Sequence, residues 1–208
     1  GYEWPPADPL PDGINSPHAE KSVTLSADEQ YLFFVSNRPG GVGGKDIYWC
    51  KKKDLKWTKP RLAGKVNTIY DEEGVFFHPD GKTLYFSSKG QRGMGGYDIF
   101  ESTFSGRSFS KPKNLGYPIN TPYDDVYFVL SASGERGYYA SARGDGQGDK
   151  DIYVIKFPKP TKNLTILKGI ISDELTHEPL EAEIQIVDND SSLVIGTLTS
   201  NTKTGQYL

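Results

Sequence analysis

One pattern recurs three times along these 208 residues at an almost constant step, and it constrains the fold more than any other feature. Asp-Ile-aromatic stands at Asp46-Ile47-Tyr48, Asp98-Ile99-Phe100 and Asp151-Ile152-Tyr153, at steps of 52 and 53 residues. A serine ahead of each glycine-rich stretch (Ser36, Ser88, Ser141) keeps the step, as do Asn15, Asn67 and Asn120, and Trp4, Trp57 and Phe109. Segments 25–36, 77–88 and 130–141 superimpose without a gap. Such a period marks a repeat architecture, in which each unit covers its apolar faces with its neighbours.

Within each unit, short apolar runs alternate with Ser-Ala-Asp, Pro-Asp-Gly or multi-glycine turns, which predicts four short strands. In the second unit they are expected near 74–78, 83–88, 97–102 and 109–115. The second of these is apolar on both faces (Leu84, Tyr85, Phe86), as is Tyr31–Val35, so it needs cover above and below. Thirteen Tyr and 10 Phe supply large flat side chains for that cover, while 23 Gly and 14 Pro leave few uninterrupted helix windows. The expected fold class is therefore all-β: a partial β-propeller of three four-stranded repeats of about 52 residues.

Several function classes fall away on composition. A net charge of −3 offers no broad positive field, so no nucleic acid partner is expected. Cys50 is the single cysteine, which rules out an intrachain disulfide and any paired-cysteine zinc spacing. The longest apolar runs, Tyr31–Val35 and Val126–Leu130, fall far short of the roughly 20 residues of a membrane helix, so no membrane-spanning segment is expected. With no initiator methionine or leader, the chain reads as a piece of a longer, processed protein. Closed propellers carry about four to eight blades. Either more blades precede Gly1 or two copies join into one ring.

The segment Phe77-His78-Pro79-Asp80-Gly81-Lys82, followed by Asp98-Ile99, resembles the repeat of TolB-type β-propellers. The first copy departs from it with Asp28-Glu29 and the third with Ser133-Gly134. The resemblance covers residues 4 to 157, which we read as propeller blades over 1–157, followed by a proline-bearing linker over 158–162. Beyond it, Leu167-x-Gly169-x-Ile171-x-Asp173, Thr176-x-x-Pro179-Leu180-x-Ala182-x-Ile184 and Thr202-x-Thr204-Gly205-x-Tyr207 are similar to the carboxypeptidase regulatory-like domain, with His177 where that family has glycine. That resemblance implies part of a transthyretin-like β-sandwich over 163–208, truncated at its end. The order of the two is similar to the middle of multidomain OmpA-family envelope proteins of the Bacteroides phylum, some of them lipoproteins of the type IX secretion system. It implies a periplasmic, outer-membrane-associated protein whose partners are other envelope or secretion proteins. Peptidoglycan would be reached through a domain absent from this chain.

Candidate chemistry is sparse. There is no Gly-x-Ser-x-Gly elbow, and the three histidines, His18, His78 and His177, stand far from any nucleophile motif. Cys50, on a strand, is read as a buried small hydrophobe. The glycine-rich loops join strand to strand, so they are read as hairpin turns and not phosphate cradles, with Asp46, Asp98 and Asp151 accepting backbone N–H groups there. No cofactor is expected and no metal is compelled; Asp145, Asp149 and Asp151 are weak calcium candidates on spacing. Glu20, Glu72 and Asp125 align just before each first strand, with Asp71, Glu73 and Asp124 beside them. Two readings stay open for the aligned three: a carboxylate cluster at a channel mouth that attracts a cation or a basic partner, or packing bonds between neighbouring blades. Arg38 and Arg143, with Arg92 near the corresponding position, are candidate rim contacts.

The function expected from these features is a non-enzymatic protein–protein interaction scaffold. The alternatives are a glycan- or peptide-binding propeller, or a sialidase-like glycosidase suggested by the Asp80-Gly81-Lys82-Thr83 turn.

Overall fold

The computed structural model describes residues 6–11, 13–131, 133–158, 167–187 and 192–207. Trp4 and most of the expected linker lie outside the described residues. The chain divides into two compact units, Gly1–Leu164 and Thr165–Leu208.

The first unit is all β, in three antiparallel sheets that follow the repeat. The first sheet holds β1 (Glu20–Leu25), β2 (Tyr31–Ser36), β3 (Asp46–Lys53), β4 (Lys56–Trp57) and β5 (Arg61–Leu62). The second holds β6 (Glu72–Phe77), β7 (Thr83–Ser88), β8 (Asp98–Thr103) and β9 (Lys113–Asn114), the third β10 (Asp125–Leu130), β11 (Arg136–Ser141) and β12 (Asp151–Lys156). The strand expected over 109–115 is shorter than its apolar pattern suggests. Phe109 makes only an isolated bridge to Phe104, and the ladder resumes at Lys113. The third sheet has three strands among the described residues, because the chain leaves after β12.

Every first strand breaks its register at the same place, after Lys21, Glu73 and Val126. The residue that follows takes a left-handed φ in all three blades: Ser22 at 47°, Gly74 at 62° and Tyr127 at 59°. Only Gly74 adopts this without cost, so Ser22 and Tyr127 hold a strained bulge that their residue types do not announce.

Large flat side chains fill the space between sheets. Phe33 stacks on Phe77 with centroids 4.5 Å apart, and Phe104 meets Phe33 edge-on at 5.3 Å, closing the first interface. Tyr85 against Phe128 at 5.0 Å does the same for the second. β7 is buried along its whole length, as its two-faced apolar pattern requires.

Polar groups then set the angle between blades. The Asn67 side chain accepts from the Ile47 N–H at 2.8 Å and donates to the Ile47 carbonyl at 2.9 Å. Asn120 repeats this on Ile99, at 2.8 Å for both bonds. An amide side chain carries an acceptor oxygen and a donor nitrogen side by side, so it can satisfy an edge N–H and C=O together. One blade is thereby locked to the next.

The second unit contains β13 (Gly169–Ile170) paired with β16 (Gln206–Tyr207), and β14 (Glu183–Val187) paired with β15 (Val194–Thr199). The turn after Asp173 uses its carboxylate to accept the Leu175 and Thr176 N–H groups, and His177 follows at a φ of 59°. Histidine therefore occupies a left-handed position that suits glycine.

Two outcomes follow. Asn120→Ala leaves the buried Ile99 N–H without its acceptor and is expected to cost about 2 to 4 kcal/mol, measured by urea unfolding. His177→Gly is expected to gain roughly 1 kcal/mol, seen as a higher thermal midpoint for the second unit.

Candidate functional site

The first strand of each blade starts, and the second ends, at one end of the sheet, and that end carries a repeated polar frame. The carboxylate that opens the first strand accepts the hydroxyl and N–H of the Ser or Thr four residues earlier: Ser16 to Glu20, Thr68 to Glu72, Thr121 to Asp125. It also accepts the hydroxyl that ends the second strand: Ser36, Ser88 at 2.7 Å, and Ser141. Glu72 and Asp125 are fully buried by this arrangement. They are not displayed at a mouth; each ties its own leading loop to its own second strand. The expected packing bonds to the neighbouring blade exist, but through backbone: Glu72 N–H to the Lys45 carbonyl and Asp125 N–H to the Tyr97 carbonyl. The flanking Asp71 and Asp124 carboxylates cross between blades, accepting the Lys45 and Tyr97 N–H groups, and Glu73 pairs with Lys45 Nζ at 3.0 Å.

The arginines belong to the same frame. Arg38 donates to the carbonyls of Gly13 and Ile14, to Ser36 Oγ and to Glu20, while lying over Phe34 and Tyr48. Arg143 donates to the carbonyls of Pro118 and Ile119 and to Ser141 Oγ, over Tyr139 and Tyr153. Both are half-buried and clamp the leading loop by its carbonyls. In the middle blade the clamp is Gln91, whose amide donates to the Lys65 and Val66 carbonyls. Arg92 is exposed and only its carbonyl takes part, accepting from Asn114. A superposition of arginines in sequence points to Arg92 and misses Gln91, because the shared property is a donor that reaches two carbonyls and not a charge.

The carboxyls of the frame differ in their titration. Burial alone raises the Glu20 carboxyl, but hydrogen bonds from Ser16, Ser36 and Arg38 outweigh it and hold the group below its ordinary value. Glu72 is fully buried, and burial pushes it up to about 7 against the hydrogen bonds of Ser88 and Thr68.

The glycine-rich loops sit at the same end. Asp46 Oδ2 accepts the Val42 and Gly43 N–H groups, Asp98 Oδ2 those of Met94 and Gly95, and Asp151 Oδ2 those of Gln147 and Gly148. Asp151 is thus committed to its loop, and Asp149 faces Lys150 at 3.3 Å. Asp145, Asp149 and Asp151 do not gather, and no cluster able to hold a metal is found among the described residues. Cys50 is buried, which drives its thiol up to about 11 despite Arg38 and leaves it unreactive. His78 is fully buried beside the β6–β7 turn, where its Nδ1 accepts the Asp80 N–H. Asp80 closes that turn by accepting from the Lys82 and Thr83 N–H groups and the Thr83 hydroxyl.

Among the exposed charged residues of this end, such as Lys65, Lys89 and Arg92, stand several apolar tips. Val42 and Met94 stand at equivalent tips of the first two glycine-rich loops, and Tyr70 and Tyr123 at equivalent points of the leading loops. With Ile69 and Tyr117, all are exposed on this one end. The opposite end carries the 26–30 and 78–82 turns, rich in charged and small polar groups, and the exposed Leu25 and Leu55. These apolar tips carry no catalytic or ligand motif, which is why residue patterns pass over them; only their common placement makes them a surface.

The sequence matches no protein-family model and no curated protein. Among solved structures the chain is similar to TolB from Acinetobacter baumannii, with 20% identity over 69% of this chain and 30% of that one and a TM-score of 0.47. It is similar to a protein from Agrobacterium tumefaciens described as a TolB (19%, 68% and 46%, 0.46) and to an α-L-arabinofuranosidase from Lactobacillus brevis (19%, 69% and 55%, 0.44). The chain spans 30% to 55% of the length of these proteins. The likeness is one of architecture.

Glu72 makes stability depend on pH in a defined direction. Below pH 4.5 its carboxyl is protonated in both states; between 4.5 and about 7 only the folded state keeps the proton, so stability falls as pH rises through that window. Relative to Glu72→Gln, the wild type is expected to lose roughly 3 kcal/mol between pH 4.5 and pH 8, measured by urea unfolding at each pH.

Proposed function

We propose that this chain is a non-enzymatic protein-binding scaffold of the bacterial cell envelope, working in the periplasm in association with the outer membrane, and that it binds through the apolar end of its blades. The observation that carries this reading is the repeated display of Val42, Tyr70, Met94 and Tyr123 on loops that the carboxylate–hydroxyl frame holds fixed. Aromatic tips on a fixed backbone bind with little ordering cost, and a flexible methionine beside them adapts to the partner's shape. The groups that could have served catalysis are committed elsewhere: Glu72 and Asp125 inside the frame, Asp80 in its turn, Cys50 in the core. The compartment rests on the resemblance of the two-domain order to envelope proteins, with secretion proteins as the partner class and peptidoglycan reached through a domain outside this chain.

The exposed tyrosines also favour a second reading, stacking of a sugar ring. The two are separated by experiment. Capture of envelope proteins on the wild-type chain is expected to fall at least about tenfold with Tyr70→Ser, Met94→Asp and Tyr123→Ser combined, while the thermal midpoint stays put. Glycan-array binding lost in the same variant would support the second reading, and hydrolysis of aryl glycosides would overturn both.

A further inference from the structure

Three cations of the middle blade stand among the apolar tips, and none contributes its charge to the fold. Lys65 is on the leading loop, Lys89 and Arg92 are on the glycine-rich loop, and all three are exposed. Their charged groups enter no ion pair or hydrogen bond among the described residues. Lys89 Nζ lies only over the Tyr97 ring, 4.6 Å from its centroid. Other cations of this end are engaged: Arg38 pairs with Glu20 at 2.9 Å, Lys45 with Glu73 at 3.0 Å and Lys150 with Asp149 at 3.3 Å, while Arg143 donates to the Pro118 and Ile119 carbonyls.

The repeat shows that these three charges are not a requirement of the loops. At the place of Lys65 the first and third blades have Gly13 and Pro118; at that of Lys89, Asn37 and Ala142; at that of Arg92, Gly40 and Asp145. The same loops form without them. In a chain whose net charge is −3, three unpaired cations on one blade make a positive field that is local to it.

Backbone contacts bring the cations against the apolar tips. The Gln91 amide donates to the Lys65 and Val66 carbonyls at 3.2 and 3.1 Å, which sets Arg92 close to Lys65. The Lys89 N–H donates to the Asp71 carbonyl at 3.1 Å, next to Tyr70. Gly43 packs so closely on the Tyr70 carbonyl that it admits no Cβ, which carries Val42 of the first blade to the same place. Val42, Tyr70 and Met94 thus form one strip with Lys65, Lys89 and Arg92. A blade lies on either side of the middle one, so this exposure belongs to loop tips and not to an uncovered sheet face.

We propose that this strip binds an acidic peptide segment of a partner protein, one that carries apolar side chains among its carboxylates. The proposal rests on the reading of this end as a protein-binding surface and names the chemistry that the surface recognises. Carboxylates paired with Lys65, Lys89 and Arg92 steer the approach and fix the register, while apolar side chains packed on Tyr70 and Met94 hold the complex. A purely polyanionic ligand leaves those apolar tips uncovered. Asp145, at the Arg92 position of the third blade, repels the same carboxylates and keeps the acidic stretch over the middle blade.

Selection of displayed random peptides, each of about 12 residues, on the full chain tests the proposal. Enriched sequences are expected to combine Asp or Glu with Leu, Phe or Trp, and a synthetic peptide of that kind is expected to lose at least about fivefold in affinity between about 50 and about 300 mM salt. Lys65→Gln, Lys89→Gln and Arg92→Gln combined are expected to weaken it at least about tenfold with an unchanged thermal midpoint. Lys53→Gln, Lys56→Gln and Lys82→Gln, which remove as much charge from the exposed opposite end, should leave it intact. Neutral peptides whose binding falls with Tyr70→Ser and Tyr123→Ser but not with the loss of the three cations would overturn the acidic partner and leave the protein-binding reading standing. Equal weakening by the opposite-end variant would overturn the strip as the site, and a library without any binder would overturn both readings.

Discussion

Each junction between blades turns on a single side-chain amide closing over the backbone of one isoleucine. The Asn67 and Asn120 amides satisfy the outward N–H and carbonyl of Ile47 and Ile99 at the start of a third strand, where a bare edge would otherwise be buried. Buried isoleucine below and a bonded edge above fix both the distance and the angle of the next sheet. The aromatic cores between sheets, Phe33 on Phe77 and Tyr85 on Phe128, can then pack in one arrangement.

That lock needs a loop delivered in one geometry, and the carboxylate frame delivers it. Glu20, Glu72 and Asp125 each bind the Ser or Thr that follows the asparagine, so the residue that locks the neighbour and the residue that opens the strand are held as one piece. Arg38, Gln91 and Arg143 hold the same loop from outside by its carbonyls. The three solutions differ in charge yet agree in geometry. Glu72, fully buried in the middle blade, is the carboxyl that burial pushes up to about 7.

A frame so fully engaged internally leaves the surface chemistry to the loop tips. Val42, Tyr70, Met94 and Tyr123 take no part in the frame through their side chains, and so they are free to differ between blades without cost to the fold. His18 at the place of Tyr70, and Gln147 at that of Met94, show this freedom within one chain. Rigid backbone beneath variable tips is an arrangement that suits recognition.

The period of 52 to 53 residues, with its apolar runs and turns, was enough to read the all-β fold, the strand order and the loop role of Asp46, Asp98 and Asp151, because hydrogen-bonding demands of this kind are local and repeat with the sequence. Burial was not local. Nothing in the aligned carboxylates distinguishes an exposed mouth from a sealed frame, and the arginine alignment favoured Arg92 over the glutamine that does the clamping. The left-handed bulges at Ser22 and Tyr127 are imposed by the sheet on residues that would not choose them. Most of all, the identical triplets at Ile47, Ile99 and Ile152 have opposite exposures, since a residue's environment is set by the blade that comes next and the triplet carries no information about whether one does.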